Sequence, residues 1–285
     1  MARKRAQFFG DSDLFSCGRC GTECLLPQPA DERLAEIYSS AYYQPWSIDE
    51  DRSVESMKRA TFEWILGACP LRPGARVLDL GCATGFFLRL GIDRGLRMWG
   101  CDLNAYAIDR CRTDVPSARV HCGVLADHPF PGVQFDAIFM VDFIEHVRDP
   151  EEELRIVMSR LADGGFAVLS TPRADSRQKR FMGADWVQYK EEHLTYFSLA
   201  GLTALLERCG FEVVDARSTR KTLMLGYAHR LLQAYPHPLL TPASRIAYRL
   251  LPFLRSIHLP IYLGEMTVVA RKRGVGTLAS GAAGS

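Results

Sequence analysis

The chain has no apolar run of the length needed to span a bilayer. It has almost no net charge: 35 Lys and Arg against 33 Asp and Glu leave +2. A nucleic-acid surface and strong electrostatic steering are therefore not expected. The opening "MARKRAQFFG" is basic but lacks the long apolar stretch of a secretory signal, so a cytoplasmic protein is expected. No internal repeat is visible. The nine cysteines are an odd number, and several lie inside apolar runs. Free buried thiols in a reducing compartment suit that better than a disulfide framework. "CGRCGTEC" holds Cys17, Cys20 and Cys24 but no second C-x-x-C follows, and a structural zinc site needs four ligands. No metal is expected there, only a turn with buried thiols.

What is present is a core. Nearly half of the 285 residues are apolar, enough for one large domain or one domain with attachments. Apolar runs begin at Arg76 ("RVLDLG"), Arg97 ("RMWGCD"), Arg119 ("RVHCGV"), Phe135 ("FDAIFMVD") and Gly165 ("GFAVLSTP"). Each reads as a strand covered on both faces. Helical patterns fall between them; "EEELRIVMSRLA" after Pro150 has acids in its first turn and "DGG" as its stop. Alternating strand and helix imply a mostly parallel α/β sheet with right-handed crossovers. "FEVVDARS" from Phe211 and "GEMTVVARKR" from Gly264 suit an antiparallel pair at the sheet edge.

The expected organisation is a cysteine knuckle and helical extension over 1–70 and a core over 71–220. A helical cap over 221–263, a final core strand over 264–273 and a flexible tail over 274–285 complete it. Basic residues punctuate the apolar cap at Arg230, Arg245, Arg249 and Arg255. A membrane-surface helix or a dimer contact are readings beside the favoured one, a cover over an acceptor pocket.

"VLDLGCATGFF", Val77 to Phe87, asks which ligand its loop holds. A dinucleotide loop, G-x-G-x-x-G, fails: counting from Gly81, Ala83 and Phe86 replace two glycines. A P-loop fails for want of a lysine. The loop still opens a helix after a strand, where amides favour an anion such as a carboxylate. Asp79, just before it, attracts a cation. Asp102 ends the next strand, where an acid accepts hydrogen bonds from ribose hydroxyls. An amino acid at one end and a ribose at the other describe S-adenosylmethionine (SAM).

"VLDLGCATGFF" with "CDLN" resembles motifs I and II of class I SAM-dependent methyltransferases. "FDAIFMVDFIEHVRDP", "LADGGFAVLSTP" and "EEHLTYFSLAGLTALLERCGFEVV" extend the likeness over about Arg76 to Ser218. It points to the ubiquinone-biosynthesis-like and natural-product branch. The resemblance implies a Rossmann-like seven-stranded sheet with helices on both faces and an antiparallel last strand. It implies Asp79, Gly81, Cys82 and Gly85 along the methionine part, Asp102 at the ribose and Leu103 at the adenine. Val124 and Leu125 stand where many relatives carry an acid near the adenine, with Asp127 further along. Val141 and Asp142 would face the methionine end and the acceptor.

A base helps when a hydroxyl is methylated. The candidates are His146 in "FIEHVRDP" and His193 in "EEHLTYF", each also readable as a structural ring. Trp186 resembles a pocket aromatic. Tyr189 and Tyr196 could shape the pocket, and Tyr42 and Tyr43 could close over the cofactor. The expectation is a methyltransferase acting on a small molecule, most readily at a hydroxyl oxygen. Homodimerisation is open; neither nucleic acid nor stable membrane insertion is expected. The rivals are C- or N-methylation, a SAM-binding scaffold or regulator, and a nicotinamide oxidoreductase.

Overall fold

A computed structural model describes residues 2–4, 9–38, 52–224, 226, 229, 232–233, 239–250 and 258–273. Tyr42, Tyr43 and the tail expected at 274–285 lie outside the described residues.

The N-terminal part is not only helical. β1 (Ala2–Lys4), β2 (Asp13–Ser16) and β3 (Glu23–Leu26) pair antiparallel. The knuckle is the loop between β2 and β3. There the Cys17 N–H donates to the Thr22 carbonyl (2.8 Å) and the Gly21 N–H to the Cys17 carbonyl (2.9 Å). Strands of three or four residues leave too little alternation to register as strands. α1 (Asp31–Ile37) and α2 (Arg52–Leu66) follow.

The alternation then runs β4 (Arg76–Leu80), α3 (Phe86–Asp93), β5 (Arg97–Asp102), α4 (Ala105–Asp114), β6 (Arg119–Cys122) and β7 (Phe135–Val141). It continues with α5 (Pro150–Arg160), β8 (Leu161–Pro172), α6 (Arg177–Met182), β9 (Thr195–Tyr196) and α7 (Leu199–Arg208). The long β10 (Phe211–Met224), α8 (Leu240–Leu250) and β11 (His258–Lys272) complete it. Asp149 caps α5 by accepting the Glu151 and Glu152 amides, each at 3.1 Å, with Pro150 in the first turn.

One sheet has the order β10-β11-β8-β7-β4-β5-β6. The pairs β4–β5, β4–β7, β5–β6 and β7–β8 are parallel, and the last strands are antiparallel. The central strands are covered on both faces: Val77, Leu78 and Leu80 of β4 and Ala137 to Met140 of β7 are buried.

Three boundaries differ from the sequence reading. β8 begins at Leu161, directly where α5 ends. The "DGG" stretch is absorbed by a register shift between Phe135 and Ala137, with Gly164 at a φ of 73°. β10 runs on to Met224 and β11 starts at His258, so the segment between these strands is 225–257, not 221–263.

The chain divides into two compact units. The first takes residues 1–66, 172–199 and 218–266, the second 67–171, 200–217 and 267–285. In the first, β9 closes a four-stranded sheet β1-β2-β3-β9, pairing Glu23 with Tyr196 and Cys24 with Thr195. Its core joins Phe9, Leu14, Leu25, Ala174, Trp186, Tyr189 and Tyr196. Inside lies a buried ion pair between Lys179 Nζ and Glu23. The Tyr189 hydroxyl donates to the same carboxylate at 3.1 Å. The ammonium lies 5.9 Å from the Trp186 ring and 5.8 Å from the Tyr189 ring. In the second unit, the sheet carries the site described next.

Candidate functional site

β4, β5, β6, β7 and β8 are parallel, so their carboxyl ends share one edge of the second unit's sheet. Among the described residues, three outside glycine have left-handed backbones: Ala83 (φ 47°), His128 (φ 52°) and Asp142 (φ 50°). Each follows the carboxyl end of a strand: β4, β6 and β7. Strain of this kind persists where surrounding structure holds it, often at functional sites.

The turn after β4 is tightly built. Gly81 and Cys82 both donate their N–H to the Cys101 carbonyl, at 2.9 and 3.1 Å. The Ala83 N–H donates to Asp102 Oδ2 at 2.9 Å, which offsets the cost of its backbone. The Gly85 N–H donates to the Cys82 carbonyl at 2.9 Å. These four amides are used inside the turn. Gly85 caps α3 at a φ of 85°, and a Cβ there would stand 2.4 Å from Cys111 Sγ. Only glycine meets both demands. The Cys82 thiol faces inward, 2.7 Å from where a Cβ on Gly100 would lie. Its hydrogen bond with Cys111, then burial, push it far up, so it is a packing group and not a reactive one.

Asp79 and Asp102 stand at the ends of neighbouring strands. Burial first, then the Asp102 charge, hold the Asp79 carboxyl well above the ordinary carboxylate range. Burial also raises Asp102, against the Asn104 and Ala83 amides, which donate to its two oxygens at 2.8 and 2.9 Å. Beyond Asp102, Leu103 is 75% exposed, and Val124 after β6 is 38% exposed. Leu125 is instead buried, so its side chain belongs to the core. Asp127 folds back on this loop, accepting from the Val124 N–H at 3.0 Å and lying 3.1 Å from His121 Nε2. These two contacts, His121 foremost, hold it below the ordinary range. The sequence reading passed over this pairing; the Asp127 and His128 that follow a strand end were its only signal.

At the end of β7, Val141 is half-buried and Asp142 exposed, with the Asp142 N–H on the Ser170 carbonyl at 2.8 Å. Glu145, which the sequence reading also passed over, is fully buried and accepts from Thr171 Oγ1 at 2.9 Å. This ties the turn Ile144–His146 to β8. His146 ends that turn, half-buried, its N–H on the Phe143 carbonyl at 3.0 Å.

His193 belongs to the first unit, buried with its ring 5.8 Å from that of Tyr196. Trp186 is fully buried, its Nε1 donating to the Leu263 carbonyl at 3.2 Å. Tyr189 and Tyr196 share that core. This corrects the reading of Trp186 as a pocket aromatic: its size and one satisfied N–H make it a core anchor. Cys17, Cys20 and Cys24 are half-buried rather than buried, and the Cys17 thiol is lowered by the Cys20 and Arg19 amides. Among the described residues no helix is long and apolar enough to cross a membrane.

With this geometry in hand, comparison with known proteins gives a consistent result. A protein of Mycolicibacterium smegmatis named "probable S-adenosylmethionine-dependent methyltransferase" is 31% identical over 142 residues, half of this chain. The chain spans about half the length of that relative, 54%. A ubiquinone biosynthesis O-methyltransferase of an Azoarcus species is 26% identical over 205 residues, covering 65% of this chain and 85% of that one. The magnesium protoporphyrin IX methyltransferase of Synechocystis, solved with SAH bound, shares the fold at a TM-score of 0.56 and 12% identity. That match covers 85% of this chain and all of the other. The profile of the family described as "Methyltransferase domain" matches residues 53–216, more than half of the sequence. The chain belongs to that methyltransferase domain family.

Proposed function

We propose that the chain is a SAM-dependent methyltransferase acting on a small molecule, with a hydroxyl oxygen as the acceptor. The pair Asp79 and Asp102 carries this reading. Two carboxylates held above their ordinary range at adjacent strand ends favour a ligand that brings positive charge. SAM does so through its ammonium and its sulfonium. The fit extends to shape. Asp102 retains lone pairs for ribose hydroxyls, and the exposed Leu103 and Val124 offer an apolar face to a purine. Asp79, Gly81 and Gly85 would line the methionine part, with Cys82 as the packed floor of the turn.

When bound, the cofactor supplies a methyl group on a positively charged sulfur. The chain's own residues position and protect. Val141 and Asp142 would border the methionine end and the acceptor. A ring nitrogen of His146 or of His193 would accept the proton of the hydroxyl. Oxygen is favoured over carbon or nitrogen because relatives matched across most of their length are O-methyltransferases by name.

The test is calorimetry with SAM, SAH and NAD, followed by turnover on a panel of hydroxylated small molecules. SAM and SAH should bind and NAD should not. His146→Ala or His193→Ala should lower kcat roughly a hundredfold while SAM affinity holds. Binding of NAD without SAM would sink the reading. SAM binding with full turnover in both histidine variants would remove the base but leave the cofactor.

A further inference from the structure

Helix α8 is built inside out. Its inward positions are polar. Thr241 and Ser244 are buried. Thr241 Oγ1 donates to the Leu232 carbonyl at 3.0 Å, and Ser244 Oγ to the Thr241 carbonyl at 2.8 Å. His229 Nδ1 lies 3.1 Å from Ser244 Oγ, and its ring stacks on Tyr248 with centroids 4.3 Å apart. Its outward positions are apolar. Leu239, just ahead of the helix, is 71% exposed, Ile246 61% and Leu250 68%. With the exposed Ala243 they recur at helical spacing and form one stripe. A helix that served only its own unit would turn this stripe inward.

The sequence around the stripe is equally one-sided in charge. Residues 216–264 hold seven Lys and Arg and no Asp or Glu. The whole chain nets +2, so the remainder nets −5. Arg245 and Arg249 are exposed beside the stripe.

An apolar stripe flanked by arginines suits an interface that is apolar within and anionic at its surface. We propose that α8 docks the chain reversibly on an anionic lipid surface. Leu239, Ile246 and Leu250 enter the acyl boundary while Arg245 and Arg249 meet the headgroups. An eleven-residue helix is about 16 Å long, which lies on a bilayer and does not cross it. A second copy is a poorer occupant, since a two-fold contact would set these arginines against each other. Nucleic acid is poorer still, because the outermost side chains are aliphatic. The proposal is independent of the methyl-transfer reading.

The test is flotation of the full chain with phosphatidylcholine–phosphatidylglycerol vesicles and with phosphatidylcholine alone. Binding is expected to the anionic vesicles only, and to weaken as salt rises. Arg245→Ala with Arg249→Ala should lower partitioning about thirtyfold, roughly fivefold per arginine. Ile246→Ser with Leu250→Ser should lower it at least about tenfold. Arg112→Ala, on the exposed face of α4, should leave it unchanged. Circular dichroism melts confirm that each variant folds, and the arginine pair alone decides if the serine pair does not. Equal binding to both vesicle types, no binding, or binding untouched by the arginine variant overturns the proposal. So does a dimer, seen by light scattering, that dissociates in the serine variant. Tighter binding to an oligonucleotide than to anionic vesicles at equal salt would overturn it too.

Discussion

One buried acid in each unit, Glu23 in the first and Asp79 in the second, is met in an opposite way. In the first, Glu23 is met by the Lys179 ammonium and the Tyr189 hydroxyl, and the group is complete within the protein. In the second, Asp79 is raised by burial and by another carboxylate, Asp102. The first arrangement holds a structure together. The second costs stability until something positive arrives. A buried acid with its partner supplied is architecture; a buried acid beside its like is, in the function proposed above, where a cationic ligand would go.

The contrast can be broken at Glu23 first. Glu23→Ala should cost about 3–5 kcal/mol in urea denaturation, because Lys179 is left buried without its counter-charge. Glu23→Leu with Lys179→Met should recover most of that loss. A single variant within about 1 kcal/mol of the parent would show that the pair is not structural. Gly85→Ala comes next. Its left-handed backbone and the approach to Cys111 together predict a loss of roughly 2–4 kcal/mol. The crowding part should return in a Cys111→Ala background, where the sulfur is gone.

Asp102→Ala should leave the fold intact yet weaken SAM by at least about tenfold, since charge-assisted hydrogen bonds are worth roughly 1.5–3 kcal/mol each. Unchanged affinity by calorimetry in a folded variant would remove the ribose assignment.

The last comparison concerns pH. Asp79 has a folded pKa above its unfolded one, so the folded state keeps a proton that the unfolded state has released. Its contribution is therefore complete below about pH 4 and is lost as pH rises through the folded value. Asp79→Asn removes that loss. The ligand-free variant should be more stable than the parent near neutral pH while binding SAM more weakly. Parallel stability curves for the two chains from acid to neutral pH would contradict it.

The second unit was largely legible in the sequence because its strands are continuous apolar runs that begin where expected, at Arg76, Arg97, Arg119 and Phe135. Asp79, Asp102 and the glycines could be picked out because strand end, turn and helix start are local events. The first unit was not legible. β9 has two residues, and the Lys179 that completes Glu23 lies 156 residues away. No periodicity reports a partner at that distance. Trp186 misled for a related reason: a large aromatic in a polar segment reads like a pocket wall until its core companions, Phe9 and Leu25 among them, are known. Leu125 and Val124 differ in exposure because one residue separates an exposed side chain from a buried one at a strand end.

The pairing of β3 with β9 sets a timetable for synthesis. Glu23 leaves the ribosome 156 residues ahead of Lys179. At roughly 5–20 residues per second, that is a wait of about 8–30 s. Throughout it, the hairpin of β2 and β3 has a bare edge and an acid without its counter-charge. The sheet of the second unit can assemble strand by strand from β4 to β8, but the first unit cannot close until β9 has been made. Nascent chains should therefore acquire protease resistance in the reverse of their order of emergence, the middle before the beginning.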